Sequence, residues 1–183
     1  MVPQNGIKEA GMTALLESLK ADCLEELDVS DNWIKGKAID ALCLLIKRSR
    51  STLSFLNISD STLGLEGSLK VCLTIASGES KLVHFANNYN EIENTQAWGV
   101  AVHKLIEACG SLKRLEAQGN ELSKKASVAL QAEAKEKGVE YVFEEEDEDD
   151  IEDEDEEGED EDEEQEASGE VKELVAQLGA LKL

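Results

Sequence analysis

The stretch Leu24-Glu25-Glu26-Leu27-Asp28-Val29-Ser30-Asp31-Asn32-Trp33-Ile34 decides the fold of this chain. Its apolar residues stand at positions 1, 4, 6 and 11 of the phrase, and its asparagine stands at position 9. Variants of the phrase begin again at Leu53, Leu82 and Leu112, so the interval between successive starts is almost constant. Four matches at so regular a period predict a repetitive structure in which each unit contributes the same element.

The pattern L-x-x-L-x-L-x-x-N-x-L is the template of leucine-rich repeats. Positions 4 and 6 alternate with polar neighbours, which predicts a short strand with one buried face. The asparagine then turns the chain, because its amide can bond backbone groups that would otherwise lack partners. A stretch with helical spacing follows each phrase. The predicted fold class is therefore α/β: a right-handed leucine-rich-repeat solenoid with short parallel strands on its concave face and helices on its convex face.

Two residues depart from the simple pattern. Asn87 takes position 6, where an apolar residue is expected, and an unpaired buried amide costs about 1–3 kcal/mol. We therefore expect Asn87 to find backbone partners, or the strand to be irregular there. Ser61 replaces asparagine at position 9, where a hydroxyl can do part of the same work. Trp33 is interpreted as packing between adjacent turns, with contact to a partner as the alternative.

The distribution of charge divides the chain into three parts. Residues 1–143 carry 19 acidic and 16 basic side chains, whereas residues 144–166 carry 20 acidic and no basic ones. We predict a repeat domain over 1–143, a disordered acidic tail over 144–167, and a short amphipathic segment over 168–183. The nearly balanced repeat domain argues against direct nucleic-acid binding. No run of eighteen apolar residues predicts a membrane span.

The residues that carry enzyme chemistry do not form a recognisable site in the sequence. The four cysteines form no C-x-x-C pair and are predicted to be free thiols. His84 and His103 have no serine or cysteine partner at a suggestive spacing. No phosphate-binding loop, dinucleotide fingerprint or set of carboxylates with metal-ligand spacing occurs in the repeat domain. We therefore expect no metal, no cofactor and no catalytic residue.

The first seven residues match the second half of a repeat phrase. Val2 falls at position 6, Asn5 at position 9 and Ile7 at position 11, so Asn5 precedes Asn32 by nearly one full period. A solenoid that opens in mid-strand exposes an apolar end unless something caps it. We therefore expect the repeat domain to be the last repeats of a longer crescent, or to start at an internal methionine.

These features together resemble the Ran GTPase-activating proteins, particularly the fungal and protist type. Met1–Ile7 is similar to the M-x-Q-N-G-I stretch in the middle of those proteins, and Tyr89–Glu93 is similar to their penultimate repeat. A long acidic run directly follows the last repeat, as it does in the family. Lys172–Leu178 is similar to the leucine-bearing end of the fungal members. The resemblance covers essentially the whole chain.

The resemblance implies a crescent that binds the small GTPase Ran in its GTP state, alone or with a Ran-binding protein, and stimulates GTP hydrolysis in nucleocytoplasmic transport. Such an activator has no active site of its own, and we expect a cytoplasmic, in part perinuclear, monomer. Family members are thought to orient the GTPase's own glutamine with an asparagine upstream of the Gln4–Ile7 phrase. No residue here corresponds to it, so the resemblance implies a docking surface without the catalytic residue.

Four acidic residues are the candidates for binding the partner: Glu26, Asp28, Asp31 and Asp60. The repeat pattern places them on or beside the concave face, together with Ser30, Asn57 and Ser59. Acidic side chains clustered there would suit a basic patch on a GTPase. The alternative is an ordinary solvated face.

The C-terminal leucines form a second candidate site. Leu174, Leu178, Leu181 and Leu183 have spacings of four, three and two, which fits the loose pattern bound by nuclear-export receptors. The alternative is that this amphipathic segment folds back onto an exposed end of the solenoid, or frays.

A rival function comes from a different class of protein. Histone- or phosphatase-binding proteins of the acidic leucine-rich nuclear phosphoprotein kind also join leucine-rich repeats to an acidic tail. They use shorter repeats without full helices, whereas the period here leaves room for a helix in every unit.

Overall fold

The computed structural model describes residues 1–92, 95–120, 122, 124–143 and 169–181. The six helices of this part are α1 (Glu9–Ser18), α2 (Lys37–Arg48), α3 (Gly64–Ala76), α4 (Thr95–Ala108), α5 (Lys124–Glu136) and α6 (Gly169–Ala180). The strands are β1 (Glu26–Asp28), β2 (Phe55–Asn57), β3 (His84–Ala86), β4 (Arg114–Glu116) and β5 (Glu140–Val142). A 3₁₀ turn over Ala21–Cys23 precedes β1. The predicted acidic tail over 144–167 lies outside the described residues.

The five strands form one parallel sheet in sequential order, β1-β2-β3-β4-β5. The central residue of each strand is buried, and these residues pair across the sheet in the row Leu27, Leu56, Phe85, Leu115 and Tyr141. Because a helix separates each strand from the next, consecutive units stack side by side. The predicted α/β class and the parallel pairing are confirmed, and the arrangement is compatible with a solenoid-like protein.

The hydrophobic core lies between the sheet and the helices α1 to α5. Consecutive helices pack against each other, from α1 on α2 to α4 on α5. Position 6 adds a second buried row in which Val29 and Ile58 are fully buried. Val139 and Tyr141 extend the core to β5, as the apolar character of this last strip suggests.

The N-terminal residues continue the repeat geometry ahead of β1. The Val2 amide donates to the Asp28 carbonyl at 2.9 Å, and the Gln4 amide donates to the Ser30 carbonyl at 3.0 Å. The Val29 amide makes the same bond to the next repeat, at the Asn57 carbonyl. Val2 therefore occupies position 6 of a repeat phrase, as the sequence predicts.

The residue at position 8 of each repeat has a left-handed backbone. The φ angles are 57° at Gln4, 52° at Asp31, 50° at Asp60, 52° at Tyr89 and 62° at Gly119. Aspartate and glycine adopt this region readily, whereas a bulky tyrosine does so at a cost of about 1–3 kcal/mol. The recurrence shows that the turns after β1 to β4 share this geometry.

Asparagines at position 9 join neighbouring repeats, and of these Asn32 and Asn90 are buried while Asn120 is half-buried. The Asn90 Oδ1 accepts from the Ser61 amide at 2.9 Å, and its Nδ2 donates to the Ile58 carbonyl at 2.9 Å. Asn32 and Asn120 make a comparable pair of bonds to their own preceding repeats. Each asparagine side chain therefore bonds one backbone N–H and one backbone carbonyl that would otherwise lack a partner at the turn. We call these three residues the asparagine ladder.

The two irregular repeat positions are satisfied in different ways. The fully buried Asn87 donates to the Ser68 Oγ at 3.3 Å and accepts from the Asn90 Nδ2 at 2.7 Å. Its partners are side chains, so the expectation of backbone partners is wrong, although β3 stays in register. The Ser61 hydroxyl lies within bonding distance of the Ser59 and Val29 carbonyls. The Ser61 hydroxyl therefore supplies the hydrogen-bond donor of an asparagine side chain but not its acceptor.

Helix α6 packs on the outer side of α3 and α4. Its apolar residues Val171, Leu174 and Leu178 are buried. The segment does fold back onto the protein, but it lies across two helices rather than at an end of the sheet. The expectation of an end position is therefore wrong, because α3 and α4 offer apolar surface on their outer sides.

Candidate docking face

The strand residues on either side of each buried central residue point away from the helices, because side chains alternate along a strand. We call the sheet surface that they form the open face. Its members are Glu26, Asp28, Phe55, Asn57, His84, Ala86, Arg114, Glu116, Glu140 and Val142. The open face divides into two halves that differ in how their charges are partnered.

Charged side chains in the half formed by β3, β4 and β5 pair with one another. The Glu116 Oε1 lies 2.8 Å from the His84 Nε2 and 2.7 Å from the Arg114 Nε. The Arg114 guanidinium also binds the Glu140 Oε2 at 2.7 Å. The Asn88 Nδ2 donates to the other Glu116 oxygen at 3.1 Å. The charged side chains of this paired half are thus bound to partners within the chain.

The pairing changes the acidity of the groups involved. Burial of the Glu116 carboxylate favours its neutral form, but hydrogen bonds from Arg114, Asn88 and His84 outweigh burial and lower the pKa of Glu116. Hydrogen bonds to Glu116 and Glu140 raise the pKa of Arg114. Glu116 and Arg114 therefore form a stable ion pair at neutral pH.

Neighbouring groups hold the paired half in place. The His84 ring meets the Phe55 ring edge-on, with ring centres 4.9 Å apart and planes at 85°. The Asn88 backbone N–H donates to the Ser59 Oγ at 3.1 Å. The Asn88 side-chain Oδ1 accepts from the Gln118 backbone N–H at 2.8 Å. These contacts fix His84 and Asn88 between the adjacent strands.

Carboxylates in the other half, beside β1 and β2, have no cationic partner among the residues that the structure describes. Glu26, Asp31 and Asp60 are exposed. Asp28 is half-buried and accepts from the Ser30 amide at 3.1 Å and the Ser30 hydroxyl at 2.7 Å. We call Glu26, Asp28, Asp31 and Asp60 the acidic half.

Asp31 and Asp60 lie in the turns after β1 and β2, not in the strands. Their backbone amides donate to the Ser59 and Asn88 carbonyls of the respective next repeats. The two carboxylates therefore occupy equivalent places in adjacent repeats, whose spacing in a parallel sheet is about 4.8 Å. The structure brings these two predicted residues together at one edge of the open face, with Glu26 at the opposite end of β1.

Trp33 follows the same turn and is 51% exposed. Its ring lies 5.7 Å from the Lys8 Nζ, within the range of a cation–π contact. The interpretation of Trp33 as a residue packed between turns is therefore wrong. Trp33, two residues after Asp31, is therefore an exposed aromatic side chain.

Sequence reasoning missed the paired half, since it treated His84 as an isolated residue. The necessary signal was present in the repeat phrases, because position 3 holds His84 and Arg114 in successive repeats and position 5 holds Glu116. Stacking the phrases in parallel register places these side chains on one surface.

The remaining histidine and the cysteines form no second site in the described ranges. His103 on α4 pairs with Glu107 and Glu133 on the helix side of the protein. Burial raises the pKa of the Cys43 and Cys72 thiols, which makes both poor nucleophiles. All four cysteines are free. No group of three metal-binding side chains was found among the described residues.

Within the same part of the chain, none of the helices combines the length and the apolar character needed to cross a membrane. The fold and the open face define an α/β protein of stacked strand–helix units with a polar, unevenly charged sheet surface. Comparison of the chain with known protein families and with curated proteins finds no match.

Proposed function

We propose that this chain is the docking part of a Ran GTPase-activating protein, a leucine-rich-repeat crescent whose acidic half binds GTP-bound Ran. The observation that carries the proposal is the division of the open face. Carboxylates beside β3 to β5 are bound by Arg114 and His84, whereas those beside β1 and β2 remain available to a partner. A basic patch on a GTPase is the complementary surface.

The repeat architecture supports a leucine-rich-repeat protein of the long-repeat type. The asparagine ladder, the left-handed turn residue and a complete helix recur at the spacing of the sequence phrases. Helices α2 to α5 contain 12 to 14 residues each. This length argues against the rival nuclear phosphoprotein class, whose repeats lack full helices.

The proposed role is binding rather than catalysis. The described residues contain no cluster that could act on a phosphate, since Arg114 is held by Glu116 and Glu140. An activator that orients the GTPase's own groups needs its positioning residue at the γ-phosphate. In this proposal the chain supplies the docking surface, and Ran, with or without a Ran-binding protein, is the partner of a cytoplasmic monomer.

Neutralisation of two carboxylates tests the proposed surface. In Asp31→Asn/Asp60→Asn, asparagine keeps the left-handed backbone that each turn requires. Glu17→Gln/Glu136→Gln is the matched control, because it removes the same charge from exposed positions on α1 and α5. Both variants retain residues 144–166, so the contribution of the acidic tail is the same in each.

We expect the Asp31/Asp60 variant to associate with GTP-bound Ran about three- to tenfold more slowly than the wild type at low salt. The control should change the rate less than twofold, and the difference between the variants should shrink at high salt. Stopped-flow association measures both rates. Equal effects of the two variants would show that net charge alone matters and would overturn the acidic half as the docking surface.

A further inference from the structure

Helix α3 lacks the polar outer side that a surface helix normally has. Only Glu66 and Lys70 of its thirteen residues are charged, and eight of the thirteen are buried. In α2, by contrast, four charged residues are exposed to solvent: Lys37, Asp40, Lys47 and Arg48. A helix that is apolar on all sides requires cover on all sides. The sheet covers only one side of α3, so its outer side needs another element.

Helix α6 supplies that cover. Val171, Leu174 and Leu178 are spaced by three and four residues, so they share one side of the helix, and all three are buried. Lys172 and Glu173, on the other side, are exposed. At the start of α6, Glu170 interacts with the pair that Glu66 and Lys70 form at 2.6 Å. The apolar contacts thus fix the side of α6 that docks, and Lys70 attracts Glu170 at the start of α6.

The buried leucines of α6 are also the first two residues of the export-like pattern. Leu174 is 8% exposed and Leu178 is fully buried, while Leu181 is half-buried. Leu183 lies outside the described residues. A receptor that binds a leucine-rich segment in an apolar groove must bury the same side chains. One leucine cannot occupy two grooves at once.

We propose that the outer surface of α3 and α4 is a docking site for residues 169–181 of this chain, and that docking hides the leucines from a nuclear-export receptor. Export and docking then compete for the same residues. The chain between Phe143 and Gly169 tethers the segment to the repeat domain and gives it a high local concentration at its site. A change that weakens docking therefore makes the leucines more available to the receptor.

The docked state is suited to such a switch because α6 is not tightly packed along its whole length. An open depression of about 450 Å³ lies at its C-terminal end, where Gln177 and Leu181 face Lys47 and Leu73. Three side chains carry most of the burial of a twelve-residue helix. A competing receptor therefore has to displace these three buried side chains. The inference concerns the helix side of the protein and does not depend on what binds the open face.

The test weakens docking without touching the leucines. Leu73→Asp places a charge on α3 beside α6, and Leu44→Asp, at a 54% exposed position on α2, is the matched control. The full chain carries a nuclear-import peptide and a reporter too large for passive diffusion through the nuclear pore, so that its nuclear fraction falls only by export. Hydrogen exchange of residues 172–180 measures docking, and the nuclear-to-cytoplasmic ratio measures export. Adding Leu178→Ala/Leu181→Ala to the Leu73→Asp chain removes the export pattern.

We expect Leu73→Asp to accelerate exchange in α6 at least tenfold and to lower the nuclear-to-cytoplasmic ratio at least twofold, with the ratio restored by the two alanines. Leu44→Asp should change neither. Faster exchange with an unchanged ratio would overturn the competition, and unchanged exchange would overturn the docking site. If Leu73→Asp also accelerates exchange in β3 to β5, that substitution disturbs the repeat domain itself. Lys70→Glu then takes its place and is measured with the same two readouts, because it replaces the attraction between Lys70 and Glu170 by repulsion.

Discussion

Replacement of Asn90 by alanine tests the asparagine ladder. Asn90 is fully buried, and its side chain bonds the Ser61 amide, the Ile58 carbonyl and the Asn87 Oδ1 at 2.7 to 2.9 Å. None of these three groups has another partner among the described hydrogen bonds. Alanine would leave one donor and two acceptors unsatisfied in the interior.

The expected cost follows from those three groups. A buried polar group that loses its partner costs about 1–3 kcal/mol, and the costs are only partly additive because the chain relaxes. We therefore expect Asn90→Ala to lower the free energy of unfolding by about 3–5 kcal/mol. That is a large part of the roughly 5–15 kcal/mol that typically separates folded from unfolded domains.

Asn5→Ala is the matched control. Asn5 holds the same position in the first repeat, but it is exposed and makes a single bond, to the Pro3 carbonyl at 2.8 Å. Its loss should cost less than about 1 kcal/mol. Urea unfolding followed by circular dichroism measures both variants. If the two substitutions cost the same, the ladder does not stabilise the fold in the way described.

Two further predictions concern Glu116 and catalysis. Because its folded pKa is lowered, Glu116 stabilises the protein above its unfolded pKa of about 4.3, and this contribution is lost as the pH falls through the folded value. Glu116→Gln should therefore lower the free energy of unfolding by about 1–2 kcal/mol at pH 7 and by less at pH 3. Urea titrations at the two pH values measure both losses. An equal loss at both would contradict the ion pair between Glu116 and Arg114. Residues 1–183 alone should leave the single-turnover rate of GTP hydrolysis by Ran unchanged, and stimulation would show that the catalytic element lies in this chain.

The repeat phrases predicted the parts of the fold that depend on local sequence. Strand positions, parallel order and the burial of Leu56 follow from the regular period of the phrases. The register across the sheet follows as well, since equal positions in successive phrases pair with one another. The asparagine at position 9 anticipated the ladder, because its chemistry matches the needs of the turn.

The features that the sequence did not predict depend on contacts outside the period. Asn87 bonds Ser68, a helix residue 19 positions earlier, and no phrase relates the two. Trp33 is exposed because its place in the turn lies outside the alternating strand pattern. Residues 169–181 belong to no repeat, so their position on α3 could be found only from the three-dimensional structure.

Binding of residues 1–183 to Ran tests the central claim most directly. A titration by isothermal calorimetry or fluorescence anisotropy compares GTP-bound with GDP-bound Ran at the same low ionic strength. The account predicts saturable one-to-one binding that is tighter for the GTP form and weakened by Asp31→Asn/Asp60→Asn. Absence of binding, or equal binding of both nucleotide forms that the substitutions leave unchanged, would contradict it.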